Sequence, residues 1–288
     1  MNKLAIITDS NSGIRQKEAD ALGIKVLPMP FTINGETFYE DVNLSQADFY
    51  EKLMSGADVF TSQPLVGDVS NLWTQALKQY DEVLHIPMSS GLSGSCQTAM
   101  MLAEEYEGKV QVVDSQRISV TQKWDVLTAI ELNKQGKDAS EIKKILEETK
   151  FDSSIYITVN TLEYLSKGGR ITPTAAMLGS MLKIKPILQL HGEKLDSFSK
   201  TRTMHKATKI MTDSIIKDVE TRIDPLGKGD NVYICVAYTY DEEPALELKQ
   251  QLEEIYPQHT ILCDPLSLSV SCHIGPNALA IAACKKIV

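Results

Sequence analysis

Short apolar runs alternate with amphipathic stretches along the first half of the chain. Leu4 to Thr8 is a short apolar run typical of a buried strand, and the polar helical pattern after it ends at Gly23. Asn34-Gly35 predicts a hairpin turn, and Ser45 to Asp48 predicts a capping box that opens a helix. Strand and helix patterns continue to alternate up to about residue 150, which predicts a parallel sheet covered by helices.

The second half predicts a further α/β unit. Its predicted elements are a strand at Ile155–Val159, a hairpin of Pro186–Leu190 and Lys194–Ser199 around His191-Gly192, an amphipathic helix over Met204–Val219, strands at Val232–Ala237 and Thr260–Cys263 with a helix between them, and a final apolar helix over Asn277–Ile287. We therefore expect an N-terminal domain of residues 1–150 and a C-terminal domain of residues 151–288.

The composition is that of a soluble globular protein. The chain has 288 residues, of which 43% are hydrophobic and 23% are charged, close to the averages for such proteins. At about 150 residues per domain, this length predicts about two domains. The 29 basic and 38 acidic residues give a net charge of −9. An acidic surface repels phosphate backbones, which argues against general nucleic-acid binding.

The cysteines predict buried thiols rather than a disulfide or zinc framework, because their number is odd and no Cys-x-x-Cys pair occurs. They are Cys96, Cys235, Cys263, Cys272 and Cys284. The N-terminal apolar run, Leu4 to Ile7, is too short for a signal peptide. No stretch approaches the ~18 apolar residues of a membrane span. We expect a cytoplasmic protein without a transmembrane segment.

The strongest local signal for a ligand site is the run Ser89-Ser90-Gly91-Leu92-Ser93-Gly94-Ser95. It follows an apolar strand and precedes a helix pattern. Such a loop directs backbone N–H groups and the positive end of a helix to one point, which favours an anion, and its hydroxyls add neutral donors. The alternative is an ordinary glycine-rich turn with a serine cap.

Three other polar segments and one arginine also permit two interpretations. Thr61-Ser62-Gln63-Pro64 and Ser271-Cys272-His273-Ile274-Gly275-Pro276 each precede a predicted helix, so they are either caps or ligand contacts. Lys167-Gly168-Gly169-Arg170 is favoured as a backbone turn in which Arg170 binds nearby carbonyl groups. Arg202, before the long helix, is either a surface salt-bridge partner or an anion clamp.

Other chemistries find weaker support in the sequence. Gly91-Leu92-Ser93-Gly94-Ser95 differs from the G-x-S-x-G elbow of serine hydrolases at its last position. No P-loop or dinucleotide fingerprint occurs, and the histidines lack metal-ligand spacing. Asp9 and Asp114 end predicted strands, where a carboxylate either holds Mg²⁺ or, as we favour, caps the following turn.

Taken together and in order, these motifs resemble those of a known family. They are Ile7-Thr8-Asp9-Ser10, Thr61-Ser62-Gln63-Pro64, Ser89-Ser90-Gly91-Leu92-Ser93-Gly94, Val113-Asp114-Ser115, Lys167-Gly168-Gly169-Arg170-Ile171, Gly179 to Leu188, and His273-Ile274-Gly275-Pro276. Along nearly its whole length the sequence resembles the DegV family of bacterial fatty-acid-binding proteins. The resemblance implies an α/β fold in which a helix-covered parallel-sheet domain and a second α/β domain with a mixed sheet hold a fatty acid between them.

The resemblance also implies a ligand site in which hydroxyl groups meet the carboxylate of a long-chain fatty acid. Its residues are Thr61 and Ser93 as carboxylate contacts, Ser62 and Gly94 beside them, and His273 and Arg202 in a supporting network. Candidates for lining the acyl tail, or simply core residues, are Met177, Leu178, Met181, Leu182 and Ile184. No catalytic residue, cofactor or metal is implied.

Some members of the family are the acyl-binding subunit of a bacterial fatty acid kinase. The resemblance therefore implies a carrier that is not itself an enzyme. It would present the carboxylate to a separate ATP-dependent kinase subunit, which forms an acyl phosphate for phospholipid synthesis, and it allows transient contact with a membrane surface. Two alternatives stay open at this point: a serine hydrolase or acyltransferase with Ser93 as nucleophile, and a binder of another anionic metabolite.

Overall fold

The computed structural model describes residues 3–180, 184–227 and 229–288. The elements before residue 150 are β1 Leu4–Asp9, α1 Gln16–Leu22, β2 Lys25–Leu27, β3 Pro30–Ile33, β4 Glu36–Tyr39, α2 Gln46–Met54, β5 Val59–Thr61, α3 Val66–Ala76, β6 Glu82–Ile86, α4 Ser95–Ala103, β7 Val110–Val112, α5 Val120–Lys134 and α6 Ala139–Glu148. The later elements are β8 Ser153–Thr158, α7 Glu163–Gly168, α8 Pro173–Met177, β9 Lys185–Leu190, β10 Asp196–Thr201, α9 Met204–Asp218, β11 Val232–Tyr238, α10 Glu243–Ile255, β12 Leu262–Pro265, α11 Leu268–Ile274 and β13 Leu279–Lys285.

Three sheets organise these elements. A parallel sheet has the strand order β2-β1-β6-β7, and an antiparallel sheet has the order β4-β3-β5. The third sheet is mixed, with the order β10-β9-β8-β13-β11-β12, and its parallel pair is β11 with β12. The predicted fold class, a parallel-sheet unit plus a mixed-sheet unit, is confirmed. Each sheet takes its described strands from one side of residue 150, and the domain division there stays a prediction.

Most of the elements predicted from the sequence form where the patterns place them. Ser45 caps α2 by accepting a hydrogen bond from the backbone N–H of Asp48, and Gly23 ends α1 in the left-handed conformation. The turn at Asn34-Gly35 joins β3 to β4, and the hairpin around His191-Gly192 joins β9 to β10. In each case a local signal, either a cap or a turn residue with positive φ, is sufficient to fix the element boundary.

The end of the chain differs from the prediction. The apolar helix expected over Asn277–Ile287 is instead β13, which pairs with β8 on one side and β11 on the other. Residues 279–284 are all buried. A central strand buried on both faces reads as a continuous apolar run, and its alanines favour a helix when taken locally. Pairing with two neighbouring strands overrides that preference.

The mixed sheet packs its two faces against different partners. One face packs against α9 and α10 through residues such as Ile281, Val236 and Met211. The opposite face, with Ile157 and Ala280, packs against residues from the first half of the chain such as Met88 and Ile118. This second contact encloses the cavity described next.

Candidate functional site

A cavity of about 230 Å³ lies where the inner face of the mixed sheet meets the loops at the carboxyl ends of the parallel strands. Its apolar wall comes from both halves of the chain: Met29, Met88, Leu92, Ile118, Val120, Ile155, Ile157, Leu165, Leu190, Leu195, Ala237, Leu266, Val270, Ile274, Ala280 and Ala282. Loops at the carboxyl ends of parallel strands are the usual ligand-binding edge of an open α/β sheet.

The serine loop, residues 89–94, forms part of the polar end of the cavity. Ser93 and Gly94 line it, and the backbone N–H of Ser95 donates to Ser93 Oγ at 3.2 Å. The Ser89 hydroxyl donates to the carbonyl of Gly192 at 2.9 Å, which ties the loop to the β9–β10 hairpin. A Cβ on Gly91 would lie 2.5 Å from the Cα of Glu193, so only glycine allows this close approach. Contacts across the two halves therefore hold the loop in place.

Thr61 and His273 meet across the polar end. Thr61 ends β5, His273 lies in the last turn of α11, and the distance from Thr61 Oγ1 to His273 Nε2 is 2.8 Å. Burial, together with the nearby charge of Arg170, lowers the pKa of His273 to about 4. The imidazole is therefore neutral near pH 7 and has one donor and one acceptor nitrogen. Its pairing with Thr61 orients that hydroxyl at the cavity wall.

Arg170 brings a positive charge to the same end. Its Nε donates to the carbonyl of Leu92 at 3.2 Å, and its Nη1 donates to the carbonyl of Gly168. The predicted bonding of Arg170 to nearby carbonyl groups is confirmed. Arg170 also lines the cavity, a role that sequence reasoning missed, because the paired glycines before it already explained the motif as a turn. Arg170 belongs to one of the motifs that resemble the family, and this was the one signal in the sequence that pointed to a role at the site.

Gly168 and Gly169 serve different purposes. Gly169 adopts φ +70° and ends α7. A Cβ on Gly168 would lie 2.0 Å from Nδ1 of His273, whereas nothing lies within 4 Å of a Cβ on Gly169. The first glycine thus makes room for the histidine ring, and the second supplies the turn.

The structure brings five of the six predicted site residues to one cavity. Thr61, Ser62, Ser93, Gly94 and His273 all line it. Arg202 does not: it is exposed between β10 and α9, outside the described lining of the cavity.

The residues predicted to line the acyl tail, as far as the structure describes them, do not line the cavity, unlike most of the polar site residues. Met177 is 76% exposed, so the prediction that it lines the tail or the core is wrong. Leu178 packs partly buried against the core, and neither it nor Ile184 belongs to the described lining. Met181 and Leu182 lie outside the described residues. The apolar lining includes residues of β8, β11 and β13 together with loops from the first half of the chain. The order of residues along the chain does not show which face of a strand lines a cavity.

A second depression, of about 340 Å³, adjoins the polar end from outside. It shares Thr61, Arg170 and His273 with the inner cavity. An ion pair between Lys167 Nζ and Asp58 Oδ1, 2.7 Å apart and exposed on both sides, lies at this depression. The same three side chains therefore face the cavity on one side and an open polar surface on the other.

Asp9 caps the turn after its strand, as favoured from the sequence, whereas Asp114 bonds the serine loop instead of the turn that follows it. Asp9 accepts hydrogen bonds from the backbone N–H groups of Asn11 and Met88 and from the amide of Gln122. Burial raises the pKa of Asp9 to about 6. Asp114 accepts from the backbone N–H of Ser90 at 3.3 Å. Among the described residues, no group of three or more histidine, cysteine or acidic side chains forms a metal-binding cluster.

Comparison with known proteins agrees with this architecture. The family model described as "Uncharacterised protein, DegV family" matches residues 3–286. The chain belongs to the DegV family. The DegV protein of Bacillus subtilis (strain 168) is 31% identical over 287 residues, covering 98% of this chain and 99% of its own length.

Solved DegV structures share the fold over nearly the whole chain. The structure of DegV from Bacillus subtilis, described as a fatty acid binding protein, superposes with a TM-score of 0.88 at 30% identity and covers 99% of this chain and 100% of its own. A DegV family protein from Thermus thermophilus, described by its fatty acid binding, gives a TM-score of 0.88 at 28% identity, covering 98% and 99%.

Three further features of this DegV-family chain relate to the sequence predictions: its cysteines, its helices and the surroundings of Ser93. All five cysteines are free, and four of them are buried, with Cys263 partly exposed. None of the described helices combines the length and the apolar character that a membrane span requires. In the ranges described, the Ser93 hydroxyl has no histidine or carboxylate hydrogen-bonded to it, and His273 pairs with Thr61.

Proposed function

We propose that this protein binds a long-chain fatty acid, with its tail in the apolar part of the cavity and its carboxylate at the polar end. The observation that carries the proposal is the asymmetry of the cavity. Thr61, Ser93, His273 and Arg170 cluster at one end, and the strands β8, β11 and β13 supply an apolar wall elsewhere. Solved DegV relatives described as fatty acid binding support the same ligand class.

The energetics suit a non-covalent complex. Each buried methylene contributes about 0.8 kcal/mol, so a tail of ~15 carbons gains on the order of 10 kcal/mol. The carboxylate needs only enough hydrogen bonds to replace those it loses to water. Thr61 and Ser93 would donate hydroxyl hydrogens to it, with Ser62 and Gly94 beside them, and Arg170 would contribute a charge from a position already held by two carbonyl groups.

We further propose that the protein is a carrier that presents this carboxylate to a separate fatty acid kinase, which forms the acyl phosphate. The outer depression supports this proposal, because Thr61, Arg170 and His273 face both the cavity and the polar surface. Hydroxyl donors leave the carboxylate less tightly held than a bidentate arginine pair would. Arg202, exposed at the surface, would then contact the kinase rather than the lipid.

Mass spectrometry tests both the identity of the ligand and whether it is bound covalently. The protein would be purified from a bacterial host, and its native mass would be compared with its denatured mass. We expect a non-covalent excess that matches a fatty acid and disappears on denaturation. An excess that survives denaturation and maps to Ser93 would indicate an acyl-enzyme instead. A small polar ligand would indicate another anionic metabolite. Absence of any bound lipid, even after incubation with fatty acids, would contradict the proposal.

A further inference from the structure

The cavity wall carries a second group of polar side chains, apart from Thr61 and His273. We call Asn11, Ser119 and Ser269 the inner polar cluster, and all three line the cavity. The backbone N–H of Ser119 donates to the carbonyl of Asn11 at 3.0 Å, and the Ser269 hydroxyl donates to Asn11 Oδ1. The three residues come from the turn after β1, the start of α5 and the start of α11, so they meet only in the folded protein.

This cluster retains unused hydrogen-bonding capacity. Asn11 Nδ2 has two hydrogens, and its one acceptor within the described ranges is the sulfur of Met88, at 2.7 Å, which is a weak acceptor. The Ser119 side chain has no hydrogen-bond partner in the part of the chain that the structure describes, although the residue is only 6% exposed. Because Ser119 lines the cavity, a ligand group there can replace water as the partner of this hydroxyl.

The backbone holds Ser119 in an uncommon conformation at the wall. Its φ and ψ are 55° and −133°, a combination that is strained for a residue other than glycine. The bond to the Asn11 carbonyl fixes its N–H, and its own carbonyl accepts from the N–H of Lys123 at 2.9 Å. The surrounding structure thus maintains this strain at a position that lines the cavity.

The inner polar cluster lies some distance along the cavity from the polar end. Ser269 and His273 both line the cavity from α11. They are four positions apart in the helix, which is about 6 Å along its axis. Met29 and Met88 add apolar surface to the same wall. An acyl chain whose carboxylate lies beside Thr61 and Ser93 would therefore reach the cluster several carbons further on.

We propose that the inner polar cluster binds a hydroxyl group on the acyl chain, so that the protein takes hydroxy fatty acids of one positional class. The proposal rests on the fatty-acid binding proposed above. A hydroxyl both donates and accepts, which matches the spare N–H of Asn11 and the unpaired hydroxyl of Ser119. Unsubstituted chains would leave both groups unpaired or covered by water, and sites built around a hydroxyl discriminate against analogues that lack it.

Competition between lipids on the delipidated protein tests this proposal. Octadecanoic acid would compete with each member of a positional series of monohydroxyoctadecanoic acids, and native mass spectrometry would give the ratio of the two complexes. We expect one hydroxyl position, several carbons from the carboxyl group, at which the hydroxy acid binds at least as tightly as octadecanoic acid. In Ser119→Ala the ratio at that position should fall about tenfold, as expected for one lost hydrogen bond.

Ser12→Ala is the matched control. Ser12 lies beside Asn11 and its hydroxyl donates to the carbonyl of Asp9, outside the described cavity lining. This variant should leave the ratio unchanged. Ser269→Ala is a second test of the cluster, should Ser119→Ala fail to fold, and it should lower the same ratio.

The outcomes separate this proposal from the one on which it rests. If every hydroxy acid binds more weakly than octadecanoic acid, by the same factor in the wild type and in Ser119→Ala, the cluster holds only water and the proposal is wrong. If octadecanoic acid itself does not bind, the proposed fatty-acid binding fails first.

Discussion

At the scale of single residues, the polar end of the cavity depends on close contacts between the side chains that form its wall. The His273 ring fits against Gly168 and pairs with Thr61, and burial keeps it neutral. These contacts join α11, α7 and β5, three elements that are distant in sequence. The sequence motifs identify candidate site residues, whereas the contacts between these residues explain what each one does.

Gly168→Ala should weaken fatty-acid binding about tenfold or more. The new Cβ would lie 2.0 Å from His273 Nδ1, so the ring must rotate away from Thr61, and a lost hydrogen bond with an unpaired partner costs about 1–3 kcal/mol. Displacement of a fluorescent fatty acid would measure the affinity. Gly169→Ala is the control: its Cβ meets nothing within 4 Å but φ is +70°, so stability should fall by about 1 kcal/mol and affinity should not change. Equal affinities for the two variants would refute the positioning role.

His85 gives a prediction for acid stability. It lies in β6 against Trp73, and burial lowers its pKa to about 4. The unfolded chain regains the ordinary pKa of about 6.5 and takes up a proton that the folded protein does not. The stability that neutral His85 contributes is therefore complete above about pH 6.5 and is lost as the pH falls towards 4, amounting to about 3 kcal/mol.

His85→Phe should accordingly lose less stability than the wild type between pH 7 and pH 4. Denaturant unfolding at several pH values would measure the difference. Comparing the two proteins cancels the other buried groups, among them His273, which acts in the same direction, and the carboxyl groups of Asp9, Glu40 and Asp125, whose raised pKa values act in the opposite direction. Parallel stability curves for the two proteins would show that His85 does not titrate as described.

At the scale of elements, β13 decides the shape of the cavity. Its alternate residues face opposite sides of the sheet: Ala280 and Ala282 line the cavity, whereas Ile281 and Ala283 pack against the helices behind it. Ala282 pairs with Ile155 of β8, another lining residue. Small side chains on this face leave room between bulkier neighbours, so β13 would set how much of an acyl chain fits if the proposed ligand binds here.

Ala282→Val should shift the bound lipid towards shorter chains. The two added carbons project into the cavity, and a full-length tail would have to give up contacts there. Native mass spectrometry of protein saturated with a mixture of chain lengths would report the shift. Ala283→Val is matched in size but lies on the opposite face, so we expect some loss of stability and an unchanged lipid profile. The same shift in both variants would argue against β13 as the determinant.

At the scale of the whole molecule, the cavity exists because the two halves of the chain pack together. Lys123, on α5, bonds Glu18 in the first half and Asp264 in the second, and Arg170 bonds the carbonyl of Leu92. The outer depression beside Thr61 and His273 adds a polar surface next to the polar end of the cavity. A ligand enclosed by both halves and polar at a surface-facing end suits transfer to a second protein.

Arg202→Ala tests that transfer. Arg202 is exposed and lies outside the described cavity lining, so fatty-acid affinity should not change. Acyl-phosphate formation by a purified bacterial fatty acid kinase should fall about tenfold, in the range expected for losing one interface charge. Arg202→Lys should recover part of the rate, and Lys144→Ala, which removes an exposed charge on α6, should have no effect. Unchanged turnover in Arg202→Ala would refute the docking role.

The order of residues along the chain was enough to predict the class of fold and to single out the hydroxyl-rich loops of the polar end. Capping and turn residues fixed most element boundaries, and the hydroxyl-rich loops at Thr61 and Ser93 both lie at the cavity. These features are local, since a cap, a turn or a strand-to-helix loop needs only neighbouring residues. Local patterns therefore carried that information.

Tertiary structure alone decided the rest. The final apolar run became β13 because β8 and β11 pair with it on both sides, a contact that no local pattern contains. The role of Arg170 at the cavity, the fit of Gly168 against His273, and the meeting of Asn11, Ser119 and Ser269 also depend on residues far apart in the chain. Local propensities amount to less than about 1 kcal/mol per residue, and the burial and pairing gained on folding outweigh them.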